Sequence, residues 1–167
     1  MSGIVGTQGQ FKAEQAWHAL TRLLDAQMDG VDVAMICDKD FNDQGEIIMN
    51  PPSARVFYAG EIALSTSDSQ RLSYDSRYRF IILVADQDLS GSSANQAVAS
   101  LKLAIVAKAI LAGARILLAD GDISEPMVYL SMEPMPTEGL GMAYGLAFEV
   151  PGLAQFPGTN AFPAGGD

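Results

Sequence analysis

The chain has 167 residues, 49% of them hydrophobic, and 20 acidic residues against 10 basic ones give a formal charge of −10. That length suits one domain with tails, and the apolar content is enough for a packed core, which excludes global disorder. The acidic excess repels phosphate backbones and anionic lipid, so direct nucleic-acid recognition and membrane attachment are not expected.

Residues 1–10 (MSGIVGTQGQ) are small and polar and read as a flexible N-terminus, with no signal-peptide pattern. From Phe11 to Met28 the spacing predicts a helix. Ala13, Ala16, Trp17, Leu20, Leu23, Leu24 and Met28 recur at intervals of three and four, and Gly30 is a natural stop. Val31–Ile36 reads as a short strand. The single cysteine, Cys37, follows it; it cannot form an internal disulfide, and the expectation is a small buried hydrophobe in a reducing cytoplasm. Asp38–Gly45 reads as an Asx-rich loop. Pro51 and Pro52 lead into a strand at Ala54–Tyr58, and Ala59–Ser73 reads as a long polar loop.

Tyr74–Ala85 carries the clearest strand pattern. Tyr74, Ser76, Tyr78, Phe80, Ile82 and Val84 share one face. The other begins with Asp75, Arg77 and Arg79 and turns apolar at Ile81 and Leu83, so the strand runs from an open edge into a covered interior. Ser93–Ala112 predicts a second helix, with a capping box at Ser93 and Gln96 and a stop at Gly113. It carries two apolar stripes, one of Ala94, Val98, Leu101, Ile105 and Ala112 and one of Leu103, Val106 and Ile110. One stripe is expected on the sheet; the other needs the first helix or a neighbouring chain. Arg115–Ala119 fits either a short strand or the end of the helical region. Met127–Met132 reads as a strand, Pro134, Pro136 and Gly139 as a turn, and Met142–Val150 as the last strand, bulky on one face and small on the other. If a parallel strand pair exists, the helix-containing connection from Val84 to Met127 is where it is expected.

The expected fold is therefore α+β: a mixed, mostly antiparallel sheet of about five strands packed by two main helices. The organisation is a flexible segment 1–10, one domain over 11–150, and an extended or disordered Pro/Gly-rich tail over 151–167. That tail still carries Leu153, Phe156 and Phe162, which suits an arm that docks on a neighbour. With Leu103, Val106 and Ile110 these residues are the candidate subunit or partner interface.

No catalytic or metal set is visible. The one histidine, His18, has no nucleophile motif beside it, and one His with one Cys does not make a usual zinc site. Asp38–Asp43 starts like a calcium loop but has Asp43 where the loop needs glycine and Met49 where it needs a bidentate glutamate. Asp120-Gly121-Asp122 reads as another turn, and no phosphate-binding glycine motif occurs. No cofactor is implied.

Three segments carry a family resemblance: Pro52-Ser53-Ala54-Arg55-Val56-Phe57-Tyr58-Ala59-Gly60, then Arg77-Tyr78-Arg79-Phe80-Ile81-Ile82-Leu83-Val84 before an alanine-rich helix, and the closing Gly141-Met142-Ala143-Tyr144-Gly145-Leu146-Ala147-Phe148-Glu149-Val150. Their order resembles that of the tail terminator proteins of tailed bacteriophages, within the Mu-like prophage tail proteins. The resemblance spans residues 11–150 and implies a non-enzymatic virion subunit. Such proteins form a homo-oligomeric, usually hexameric ring on the head-proximal end of the tail. The ring touches the tail tube protein and the head-tail connector or neck proteins, stops tube polymerisation and joins tail to head after assembly in the host cytoplasm. Two other expectations stand beside it. One is a tail-tube or minor tail subunit, which would polymerise openly. The other is a small-molecule-binding or enzymatic domain built on the loops Asp38–Gly45 and Asp86–Gly91.

Overall fold

The apolar spacing of the N-terminal segment folds as helix α1, Lys12–Gln27, in a computed structural model that describes residues 11–64, 74–87, 93–137 and 141–155. The remaining elements are β1 (Asp32–Met35), β2 (Ser53–Leu64), β3 (Tyr74–Ala85), α2 (Ser93–Leu111), β4 (Val128–Thr137) and β5 (Gly141–Gln155). The five strands form one sheet in the order β1-β2-β3-β5-β4. β1 and β2 pair in parallel, and every other pair is antiparallel. The fold is thus the expected α+β type with a mixed, mostly antiparallel sheet and two helices.

Both helices lie on one face of the sheet, α1 over β1 and β2 and α2 over β5 and β3. The main core fills the space between. Leu20 and Leu24 of α1 meet Val56, Tyr78, Phe80, Ile82, Val84, Leu146, Phe148 and Val150, all fully buried. Trp17 fixes α1 to β2 through Nε1, which donates to the Val56 carbonyl at 2.8 Å. Among the described residues, the opposite face of the sheet is covered at one end. There Met49, with Ile47, packs against Leu83, Ala85, Ala143, Phe57 and Met135. This explains the two-sided pattern of β3: Arg79 and Ile81 are exposed, and Leu83 and Ala85 are buried under the 47–49 segment.

Several sequence expectations are corrected. β2 continues through Ala59–Leu64, which read as loop, because it stays paired with β3 as far as Leu64↔Asp75, past an irregularity between Tyr58 and Gly60. Residues 65–73 lie outside the described residues. Pro134 and Pro136 are strand positions rather than a turn; β4 is an edge strand, where a residue without an N–H is tolerated on the outward side. β5 runs on to Gln155, so the sheet reaches into the segment read as the start of the tail. The parallel pair is β1–β2, not a pair across the Val84–Met127 connection, because β5 inserts between β3 and β4. Arg115–Ala119 is neither strand nor helix: Leu117 makes an isolated antiparallel bridge with Ile123, closing a small hairpin at Asp120–Gly121. Cys37 is exposed rather than buried, since it ends the β1 side of the sheet and opens the 3-10 turn Asp38–Asp40. The capping expectation at Ser93 and Gln96 and the stretch 156–167 fall outside what is described.

Candidate interaction surfaces

The packing of α2 differs from both stripes read in the sequence. The row turned to the sheet is Ser100, Ala104, Ala107 and Leu111, all buried, at spacings of four, three and four. Small residues there let the helix lie close on the sheet. Leu103 and Ile110 flank that row and pack against the core. Val98, Ile105 and Val106 point outward and are 48–53% exposed, with exposed Lys102 between them. Of the residues named as a candidate interface, Val106 lies on this open face. Leu153 is fully buried on β5. Phe156 and Phe162 are outside the described residues. Among the described residues, Leu103, Val106, Ile110 and Leu153 do not share one exposed surface.

A second apolar surface was not legible as such. Ile116 and Leu118 insert into the core, which turns Leu117, between them, outward beside its bridge partner Ile123. At 61% and 58% these two are the most exposed large hydrophobic side chains among the described residues. The hairpin that presents them is well fixed. The Leu118 amide donates to the Asp122 carbonyl at 2.8 Å, the Ser124 amide to the Ile116 carbonyl at 3.0 Å, and the Ile116 amide to Ser124 Oγ at 3.0 Å. α1 braces the turn from below, with Lys12 Nζ donating to both Asp120 and Asp122 and Gln15 Oε1 accepting from the Asp120 amide. Burial alone would lower the Lys12 pKa, but the two carboxylates outweigh it and raise it. Burial would raise that of Asp120, and Lys12 together with the Asp122 amide and the Gln15 side chain brings it below the ordinary value instead. The Asp-Gly turn between short apolar runs was the available hairpin signal.

The charged clusters are structural in geometry. Arg55 on β2 is buried and saturated: Nε donates to Asp40 Oδ1 at 2.9 Å, Nη2 to Asp32 Oδ2 at 2.6 Å, and Nη1 to the carbonyls of Asp32 and Ala54. Asp40, also buried, accepts as well from the amide and thiol of Cys37. Burial pushes its pKa up, yet Arg55 and Cys37 prevail and hold it below the usual carboxylate range. An arginine inside an otherwise apolar strand was the sequence signal for this knot. On the open part of the sheet's other face, Arg77 and Arg79 converge on buried Glu149 at 3.0–3.3 Å. His18 is exposed, 3.9 Å from Glu14. Among the described residues no three His, Cys, Asp or Glu side chains stand close enough to hold a metal ion. No described helix is long and apolar enough to cross a membrane. A surface depression of about 300 Å³ lies at the start of α2, lined by Asp86, Gln87, Asn95, Val98, Ala99 and Lys102.

No protein-family model matches the sequence, and no curated protein matches it. Among solved structures, a chain of the "Virion of native gene transfer agent (GTA) particle" shares the fold. The two align with a TM-score of 0.53 and 18% identity, over 83% of this chain and 95% of that one.

Proposed function

We propose that this protein is a structural subunit of a phage-like particle and, within that class, the tail terminator. Copies of it form a ring, about six in number, on the head-proximal end of the tail. The ring contacts the tail tube protein below and the connector or neck proteins above, caps the tube, stops its growth and joins tail to head. The protein is not an enzyme in this reading, and its place is the virion.

The observation that carries the proposal is the fold likeness to a gene transfer agent virion chain, which spans nearly the whole of that chain. A shared fold alone is an analogy of architecture rather than of chemistry. Two features add to it. The terminator-like segments quoted above coincide with β2, β3 and β5, the three adjacent central strands. The described surface also has two separate apolar patches, one on α2 and one on the 116–124 hairpin, as a head-to-tail ring contact requires.

The test is the mass in solution by light scattering on a sizing column, with negative-stain images of the same peak, alone and after adding tail tubes. Closed rings, free or on tube ends, are the expected result. Long tubes from the purified protein would replace this reading with that of a tube subunit, and a monomer inert toward tubes would overturn it. Removal of the protein from the producing particle should leave tails of uncontrolled length or particles without joined heads; normal tails with heads attached would equally overturn it.

A further inference from the structure

Charge is distributed unevenly along the chain. Residues 89–119 contain three basic residues, Lys102, Lys108 and Arg115, and no acidic one, inside a protein of net charge −10. The rest of the chain therefore carries seven basic residues against all 20 acidic ones. Most of this window is α2. Lys108 is engaged over the Tyr129 ring, 4.0 Å from its centroid, whereas Lys102 stands exposed between Val98, Ile105 and Val106. A helix face whose own residues are apolar with a cation and no anion suits a partner surface that is apolar and acidic; Asp86 lines the depression beside Val98 and Lys102 at the start of that face. This molecule displays such a surface itself. Leu117 and Ile123 project from the 116–124 hairpin next to exposed Glu125, with Asp120 and Asp122 at its tip. Lys12 partly neutralises the tip, and Arg115 flanks it. Three carboxylates against those two cations leave a net negative hairpin.

We propose that the outer face of α2 in one copy seats the 116–124 hairpin of the next, with Leu117 and Ile123 on Val98, Ile105 and Val106 and with Glu125 facing Lys102. This inference rests on the self-assembling reading above and assigns its contact. Within one chain the two surfaces do not cover each other, since Val98, Ile105, Val106, Leu117 and Ile123 are all exposed. The hairpin follows the C-terminal end of α2, whereas the receiving face runs back toward Val98, on the order of 20 Å along the helix. Each copy can therefore give one surface and accept the other, which is the heterologous geometry that closes rings. The hairpin is anchored by Ile116, Leu118 and Lys12 before any contact forms, so little ordering cost attends its docking. These side chains form the centre of an interface whose full area, roughly 800 Å² per partner, must include surrounding surface.

The test uses two full-length variants, Ile105→Glu/Val106→Glu on the helix face and Leu117→Glu/Ile123→Glu on the hairpin. All four positions are exposed, so both variants should keep the wild-type circular dichroism and melting midpoint. Each alone should be monomeric under conditions where the wild type forms rings. An equimolar mixture should give a discrete dimer and no ring, because one intact helix face then meets one intact hairpin. Lys102→Glu should weaken wild-type assembly at least tenfold, and Glu125→Lys in the same chain should restore much of it. Rings from either variant alone, or a mixture that stays monomeric, would overturn this contact while leaving the assembly proposal standing. A wild type that forms no ring, free or on tubes, would overturn the assembly proposal itself.

Discussion

Arg55 shows how one buried charge shapes its surroundings. Its guanidinium lies under the β1–β2 pairing, where an unpaired cation would cost several kcal/mol. Asp40 supplies the buried half of its neutralisation, while Asp32 is largely solvent-exposed and screened. Asp40→Asn should therefore cost about 3 kcal/mol in chemical denaturation at neutral pH, the low end for breaking a buried pair because Asp32 and two carbonyls remain. The pH dependence has a defined sign. The folded carboxyl titrates below its unfolded value of 3.8. Its stabilisation is therefore complete above that value and is lost as pH falls through the folded pKa. Asp120 is shifted the same way by Lys12, so the variant should keep a reduced acid dependence below pH 4 rather than none. An Asp40→Asn protein with wild-type stability at neutral pH and the wild-type acid profile would show the knot to be energetically idle. The sequence offered the arginine but not its partner. Asp40 read as part of a solvated loop because nothing in a linear pattern shows that residues 36–52 fold back across the start of β2.

At the scale of elements, legibility followed amphipathicity. α1 has a polar side and an apolar side, so its boundaries were readable from spacing to within a residue, as were buried Ala16, Leu20, Leu24 and Met28, though not buried Gln15 and Ala19. β3 was likewise readable because its neighbours' cover changes along its length. α2 is apolar nearly all round, so periodicity gives no phase, and the larger side chains suggested the wrong inner face. The sheet selected small residues instead, Ala104 and Ala107, since a close-packed interior leaves no room for larger ones beneath the helix. Two substitutions separate the alternatives. Ala107→Leu should destabilise by about 1–3 kcal/mol through overpacking. Ala112→Leu, at a position in one of the two predicted stripes but found exposed just past the helix end, should change stability by less than about 0.5 kcal/mol. Denaturation midpoints of the two variants decide it, and the reverse order would restore the sequence assignment. The extensions of β2 and β5 were hidden for a related reason. Gly60, Glu61, Pro151 and Gly152 carry poor strand propensity; Gly60 and Glu61 are held by pairing with β3, and Pro151 and Gly152 sit in an irregularity between the paired Val150 and Leu153, which is context rather than composition.

For the whole molecule, the edges of the sheet bear on whether copies associate into a discrete species or grow without limit. The sheet ends at β1 and β4. β1 offers only four residues, too short to template much pairing. β4 is ten residues long and shows Val128 and Leu130 partly bare, which is the profile of an aggregation-prone edge. Its prolines answer that hazard. Pro134 and Pro136 lie two residues apart, opposite Tyr144 and Met142, so they share one side of the strand, and since neither can donate to β5 the outward side is where a missing N–H disturbs no ladder bond. A strand arriving from outside would find neither N–H there. Edge-to-edge stacking is thereby disfavoured. Replacing both prolines with threonine keeps a strand-compatible residue and restores the two donors. The double variant should fold normally and then form species whose mass rises with protein concentration and time, seen by light scattering and as fibres or irregular stacks in negative stain. A discrete mass identical to that of the wild type at every concentration would mean that the β4 edge is shielded by something other than its prolines, and the control of open-ended growth would have to be sought in the association surfaces themselves.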